Sequence, residues 1–181
     1  MATNKFKEMV HFIIDECRDP ARLGATRLNK VCWHADLISF KVTGKSISGE
    51  TYVKRQRGPV PSKILATLEK LKSEGAITIR ERNFGYYKRR DFMSLRPCKI
   101  RLLSENDLDT IREVLGEVCN HSANIVSEMT HDQIWNAAGD GEEIPFFATL
   151  AASSGTISSD DKKWANQMVR ELKREFLKEA V

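Results

Sequence analysis

The chain has 181 residues, 41% of them hydrophobic and 30% charged, which is enough apolar material for one packed domain with or without an extension and excludes a wholly disordered chain. No uninterrupted apolar run reaches signal-peptide or membrane-spanning length, so a cytoplasmic protein away from the membrane is expected. The net charge of +4 hides an asymmetry: residues 1–53 carry a net +2, residues 54–101 a net +10 and residues 104–181 a net −8. A basic middle joined to an acidic tail points to an acidic partner, nucleic acid or protein, or to a solvated hairpin face neutralised by neighbouring acidic helices.

Taken in chain order, Phe6, Met9, Val10, Ile13, Ile14 and Cys17 recur at helical spacing and predict a first helix with one buried stripe, ended by Asp19-Pro20. Thr26 is the expected N-cap of a second helix with Leu28, Val31, Cys32, Ala35 and Ile38 along one side and Gly44 as its stop. Residues 51–54 read as a short strand. Pro59-Val60-Pro61 reads as a rigid turn into a third helix that buries Ile64, Leu65, Leu68 and Leu71 and closes at Gly75. Ile77 and Ile79, then Cys98, Ile100 and Leu102, alternate with polar residues as half-buried antiparallel strands do, with a turn at Asn83-Phe84-Gly85. Ser104 with Asp107 opens a fourth helix along Leu108, Ile111, Leu115, Val118 and Cys119. Thr130 with Gln133 suggests a capping box for a short helix containing Ile134 and Trp135. A connector follows Gly139-Asp140-Gly141, and residues 160–179 form an amphipathic last helix with Ala165, Val169, Leu172 and Phe176 on one face.

Catalytic and metal motifs are not apparent. Cys32 with His34 and Cys119 with His121 miss the usual zinc spacings, and residues two apart in a helix point away from one another. The four cysteines are scattered and fit reduced, structural thiols. Neither a P-loop nor a dinucleotide fingerprint occurs. No catalytic residue, cofactor or metal is therefore expected. Two helices and a basic hairpin could form a winged helix-turn-helix, with Arg80, Arg82, Lys88, Arg89 and Arg90 on the wing. Against that stand Glu69 and Glu74 on the would-be recognition helix and a connection far longer than a helix-turn-helix allows.

The strings LNKVCWHAD, GKSISGETY and RGPVPSKI, in that order, resemble the Panacea antitoxin domain, also called SocA-like. Asp36 matches its aspartate, Gly44 and Gly49 its glycine segment, Tyr52 its aromatic, and Gly58, Pro59 and Val60 its turn; Thr130-His131 and Trp135 are similar to its later segment. Trp33-His34 departs from the usual aromatic pair, and residues 86–96 and the tail after Pro145 fall outside the likeness. The resemblance implies an antitoxin of a bacterial or prophage toxin–antitoxin pair that neutralises a toxin by binding it, without catalysis. Alternatives are a winged-helix DNA-binding regulator and an adaptor that delivers a client to a protease.

The expected fold class is α+β: a mostly helical domain with a small antiparallel sheet over residues 1–145, and a connector and C-terminal helix over 146–181 docked on it. Expected partner contacts are Tyr52, Arg55, Arg57, Pro59, Arg80, Arg82, Lys88, Arg89 and Arg90, because arginine and tyrosine dominate interface hot spots and a rigid turn would hold the first four in place. Asp36, Gly44, Gly58, Pro59, Val60, His131 and Trp135 are the expected structural motif. Tyr52 also has an alternative place in the core.

Overall fold

The computed structural model describes residues 4–85 and 88–153. Its elements are α1 (Asn4–Glu16), α2 (Pro20–Thr43), β1 (Tyr52–Arg55), β2 (Gly58–Pro61), α3 (Ile64–Ser73), β3 (Ile77–Asn83), β4 (Lys88–Ser94), α4 (Glu105–Asn120), α5 (Ala123–Glu128), α6 (Gln133–Ala137) and α7 (Phe146–Ser153). The class is the α+β one expected, with the strands divided between two separate antiparallel ribbons, β1–β2 and β3–β4. The chain through Thr149 forms one compact unit. The helix expected over 160–179 lies outside the described residues.

Helix α2 is the central element and touches α1, α4, α5, β2 and β4. Its inner residues Leu28, Val31, Cys32 and Ala35 are fully buried, as are Phe6, Met9, Val10 and Ile13 of α1. Each large apolar side chain removed from water in this way contributes about 1.5–3 kcal/mol. The helix begins earlier than its stripe suggests: Asp19 caps it by accepting from Ala21 N at 2.9 Å, and Pro20 occupies its first turn. Gly24, at φ 62 and ψ 166, breaks the helical path just before the stripe starts. Helix α4 has the expected capping box, with Asp107 N donating to Ser104 Oγ at 3.2 Å and Ser104 N donating to Asp107 Oδ2 at 3.0 Å.

Several expectations need correction. Gly58-Pro59-Val60-Pro61 is a strand and not a turn, paired as Tyr52↔Pro61, Val53↔Val60, Lys54↔Pro59 and Arg55↔Gly58. The reversal falls on Gln56 and Arg57. Prolines are admissible in β2 because it is an edge strand. On its other side β1 meets residues 141–144, where Lys54 N donates to Glu142 O at 2.8 Å and Ile144 N to Tyr52 O at 2.8 Å. Leu65 is exposed, and Thr67 takes the inward place beside Ile64, Leu68 and Leu71. The short helix after Thr130 is capped by Asp132, which accepts from Trp135 N at 2.8 Å, while Thr130 Oγ1 donates to Ser127 O at 2.7 Å. Helix α5, capped by Ser122, was not foreseen.

Strand β3 pairs with β4, from Ile77↔Ser94 to Asn83↔Lys88, and not with residues 98–102. Phe92 and Ile77 bury its inner face, whereas Ile100 and Leu102 stand exposed. The alternation at 98–102 is a loop held by two acids of α1. Cys98 N donates to Asp15 Oδ2 at 2.8 Å, and the N–H groups of Arg101, Leu102 and Leu103 converge on Glu8 Oε1 at 2.8, 2.8 and 3.1 Å. One carboxylate oxygen thus replaces the ladder that a strand would have supplied. Glu8→Ala is expected to lower stability by about 2 kcal/mol in urea denaturation, with Glu8→Gln losing less because its amide oxygen still accepts.

Candidate functional site

The first cluster joins α2 to the β1–β2 hairpin. Gly44 ends α2 in the left-handed region at φ 71, with its N–H donating to Phe40 O at 2.9 Å. The chain then doubles back along the helix. Ser48 N donates to Asp36 Oδ1 at 2.8 Å, and Asp36 Oδ2 accepts from Ser48 Oγ and, at 2.8 Å, from Tyr52 OH. Burial pushes the Asp36 carboxyl up from its ordinary range, and the hydrogen bonds from Ser48 and Tyr52 oppose that shift. The Tyr52 ring meets Trp33 edge-on at 5.0 Å between centroids and Phe146 at 5.5 Å, while Trp33 stacks on Phe146 at 5.1 Å.

Tyr52, expected at a partner surface, is 1% exposed. Its ring fills the space between α2 and the start of α7, so it serves the scaffold.

The second cluster lies under the hairpin. Lys30 on α2 is 1% exposed, and its Nζ donates to Pro59 O at 3.3 Å. Burial pushes its pKa down to about 7. Gly58 has φ +91, and a Cβ there would fall 2.2 Å from both Lys30 Nζ and Thr130 Oγ1, so conformation and space each demand glycine. Gly58 and Pro59 are buried, which removes Pro59 from the expected contact surface; its carbonyl faces Lys30 instead.

His131 stacks on Trp135 with centroids 3.8 Å apart and planes 12° off parallel. Trp135 Nε1 donates to Arg55 O at 3.2 Å, and Lys54 Nζ sits 4.3 Å from the indole centre and donates to Ala138 O at 2.7 Å. The His131–Trp135 segment therefore clamps β1 from outside. Among the described residues His131 Nε2 is buried without a hydrogen-bond partner, and burial together with the nearby Lys30 charge lowers its pKa.

On the surface, the hairpin turn and α2 enclose a cleft of about 400 Å³ lined by Thr26, Asn29, Lys30, Arg55, Arg57 and Asp140. Arg55 Nη1 lies 3.1 Å from Asp140 Oδ2 in an exposed pair, and Arg57 Nη1 donates to Thr26 Oγ1 at 3.4 Å. The wing is less free than its charge count suggests. Arg82 Nε and Arg89 Nε each lie 2.7 Å from the buried Asp91 carboxylate, and Arg89 Nη2 also donates to the carbonyls of Pro20 and Ala21. Arg90 Nε lies 3.1 Å from Glu81 Oε1, its cross-strand partner. Arg80 and Lys88 are exposed and make no ion pair among the described residues. Arg89 thus ties the hairpin to α2.

Sequence reasoning missed Lys30. It lies inside the quoted motif, but nothing in the spacing marks a lysine beside Val31 and Cys32 as buried. Among the described residues, no group of three His, Cys, Asp or Glu side chains could hold a metal ion.

Three outcomes follow from these contacts. Gly58→Ala is expected to cost about 3 kcal/mol or more in chemical denaturation, because strain and overlap add. Tyr52→Phe, which removes one buried donor to Asp36, should cost about 1–1.5 kcal/mol. His34, whose pKa is pushed down to about 4 by burial and by the charges of Lys30 and Lys41, stays neutral in the fold while the unfolded chain protonates near 6.5. Its contribution to stability is therefore lost as pH falls from 6.5 towards 4, and His34→Gln should flatten that part of the pH–stability profile measured by thermal unfolding.

A family model described as Antitoxin SocA-like, Panacea domain matches residues 28–136. That span contains Lys30, the Asp36 network, both hairpins and the His131–Trp135 stack. No curated protein matches the chain, and no solved structure does.

Proposed function

The chain belongs to the SocA-like, Panacea-domain antitoxin family, and from that premise we propose that it neutralises a toxin protein by direct binding, without catalysis. The contact is centred on the β1–β2 turn. The observation that carries this reading is the way the turn is mounted: Arg55 at the end of β1 and Arg57 in the two-residue reversal stand exposed, and the flanks are locked by Tyr52 on Asp36 and by Gly58 against Lys30. A preorganised loop loses little conformational entropy on association, so more of its contact energy remains as affinity. Arginine is enriched among interface hot spots for the reach and geometry of its guanidinium.

Arg80 and Lys88 on the wing extend the positive surface and serve encounter rather than the bound contact, since rim charges act mainly on association rates. Arg82, Arg89 and Arg90 are engaged by Asp91 and Glu81 and belong to the scaffold. The partner is a toxin encoded beside this chain and met in the cytoplasm.

Co-expression with the product of the adjacent gene tests the proposal. The wild-type chain should restore growth and co-purify with that product. Arg55→Glu together with Arg57→Glu should abolish both while leaving the unfolding temperature unchanged. Arg80→Glu with Lys88→Glu should slow association in a kinetic binding assay and leave dissociation near the wild-type value. Full rescue by the folded Arg55/Arg57 double variant would rule out the hairpin turn as the contact.

A further inference from the structure

Lys30 sits where a cation is hard to justify by stability alone. It is 1% exposed, and of the three hydrogens its ammonium can donate, one meets an acceptor among the described residues, Pro59 O at 3.3 Å. Lys30 makes no ion pair among the described residues, and burial pushes its pKa down to about 7. A buried ammonium without a carboxylate destabilises a fold unless something else completes it. Next to it, His131 Nε2 is a buried polar atom with no hydrogen-bond partner among the described residues. Gly58 contributes to the same unfinished region, because its missing side chain leaves the Lys30 amine room against the hairpin backbone.

The cleft above Lys30 supplies the rest of an anion site. Arg55 and Arg57 stand in its wall with Thr26 and Asn29. The bonds that hold the two guanidinium groups are of a kind that exchange readily: an exposed pair with Asp140 for Arg55, and a 3.4 Å contact with a hydroxyl for Arg57. We propose that this cleft is a carboxylate-binding subsite, into which the partner protein inserts an aspartate or glutamate side chain held by Lys30, Arg55 and Arg57. The inference rests on the protein-partner reading above and gives that contact its chemistry.

A carboxylate is favoured over a nucleic-acid phosphate on two grounds. A cleft of about 400 Å³, lined by Lys30 as well as Arg55 and Arg57, admits a compact side chain. Asp140 on the rim repels a polyanionic backbone, whereas an arriving single carboxylate need only take over Arg55 from it.

The test uses the full chain labelled with ¹⁵N at lysine side chains, the Lys30 signal being assigned from Lys30→Met. Sodium acetate is the probe, titrated at constant ionic strength against sodium chloride. Acetate should shift the Lys30 Nζ signal saturably and raise its titration midpoint from near 7 by about one unit or more. Arg57→Gln should weaken that response about tenfold, which is the binding equivalent of one such unit. Lys99→Gln, outside the cleft, should leave it unchanged.

Lys30→Met should stay folded and unfold a few degrees higher, since a buried charge has been removed, while losing rescue from the toxin. The absence of a saturable shift, an equal response to chloride, or a Lys30→Met variant that is less stable and still rescues would overturn the proposal. An oligothymidylate that displaces acetate would reassign the cleft to nucleic acid. If Lys30→Met rescues as well as wild type, the subsite is wrong and the antitoxin reading stands. If wild type itself fails to rescue, that reading falls, and the acetate titration still judges the subsite.

Discussion

The buried carboxylate of Asp36 is the constraint on which the arrangement depends. It projects from the central helix α2 and accepts from the backbone and hydroxyl of Ser48 and from the phenol of Tyr52. These bonds fix where the chain returns after Gly44, and so where β1 begins. Everything carried by the hairpin inherits that placement, including the approach of Gly58 to Lys30 and the position of the Arg55 carbonyl opposite Trp135 Nε1. An acid isolated at this depth would be strongly unfavourable; with all three donors supplied, it becomes a directional fastener.

Beneath the same hairpin the opposite condition holds. Among the described residues, Lys30 has been taken out of water with one carbonyl for company, and His131 Nε2 beside it has no hydrogen-bond partner. The two clusters are a few residues apart in sequence and differ in kind: the Asp36 network is complete within the chain, and the Lys30 cluster is incomplete. Natural folds sacrifice stability where a site must meet something else. That contrast separates scaffold from binding surface more sharply than the charge count does, because most wing arginines are already matched by Asp91 and Glu81.

Much of the fold was legible. The stripes of α1, α2 and α4 and the Ser104 capping box could be read because helical periodicity and capping are local properties. Gly58-Pro59-Val60-Pro61 was misread because proline signals a turn unless an edge strand admits it, and edge status is decided by partners far along the chain. Residues 98–102 alternate like a strand, yet Glu8, some ninety residues earlier, gathers the N–H groups of Arg101, Leu102 and Leu103 into a loop. The site was legible only in its motif residues. Asp36, Gly58 and Trp135 stood out as a pattern, but the pattern could not tell that Tyr52 faces inward or that Lys30 is buried, since both follow from how α2, the hairpin and residues 130–135 meet in space.

The central claim is that a rigid hairpin turn beside a buried, unmatched lysine receives a protein partner. Hydrogen–deuterium exchange of the full chain, alone and mixed with the purified product of the adjacent gene, tests it most directly. The account predicts that the partner protects residues 52–61 and the exposed side of α2 near residues 26–30, with little change in residues 77–94. Protection confined to residues 77–94, or none in residues 52–61, would contradict it.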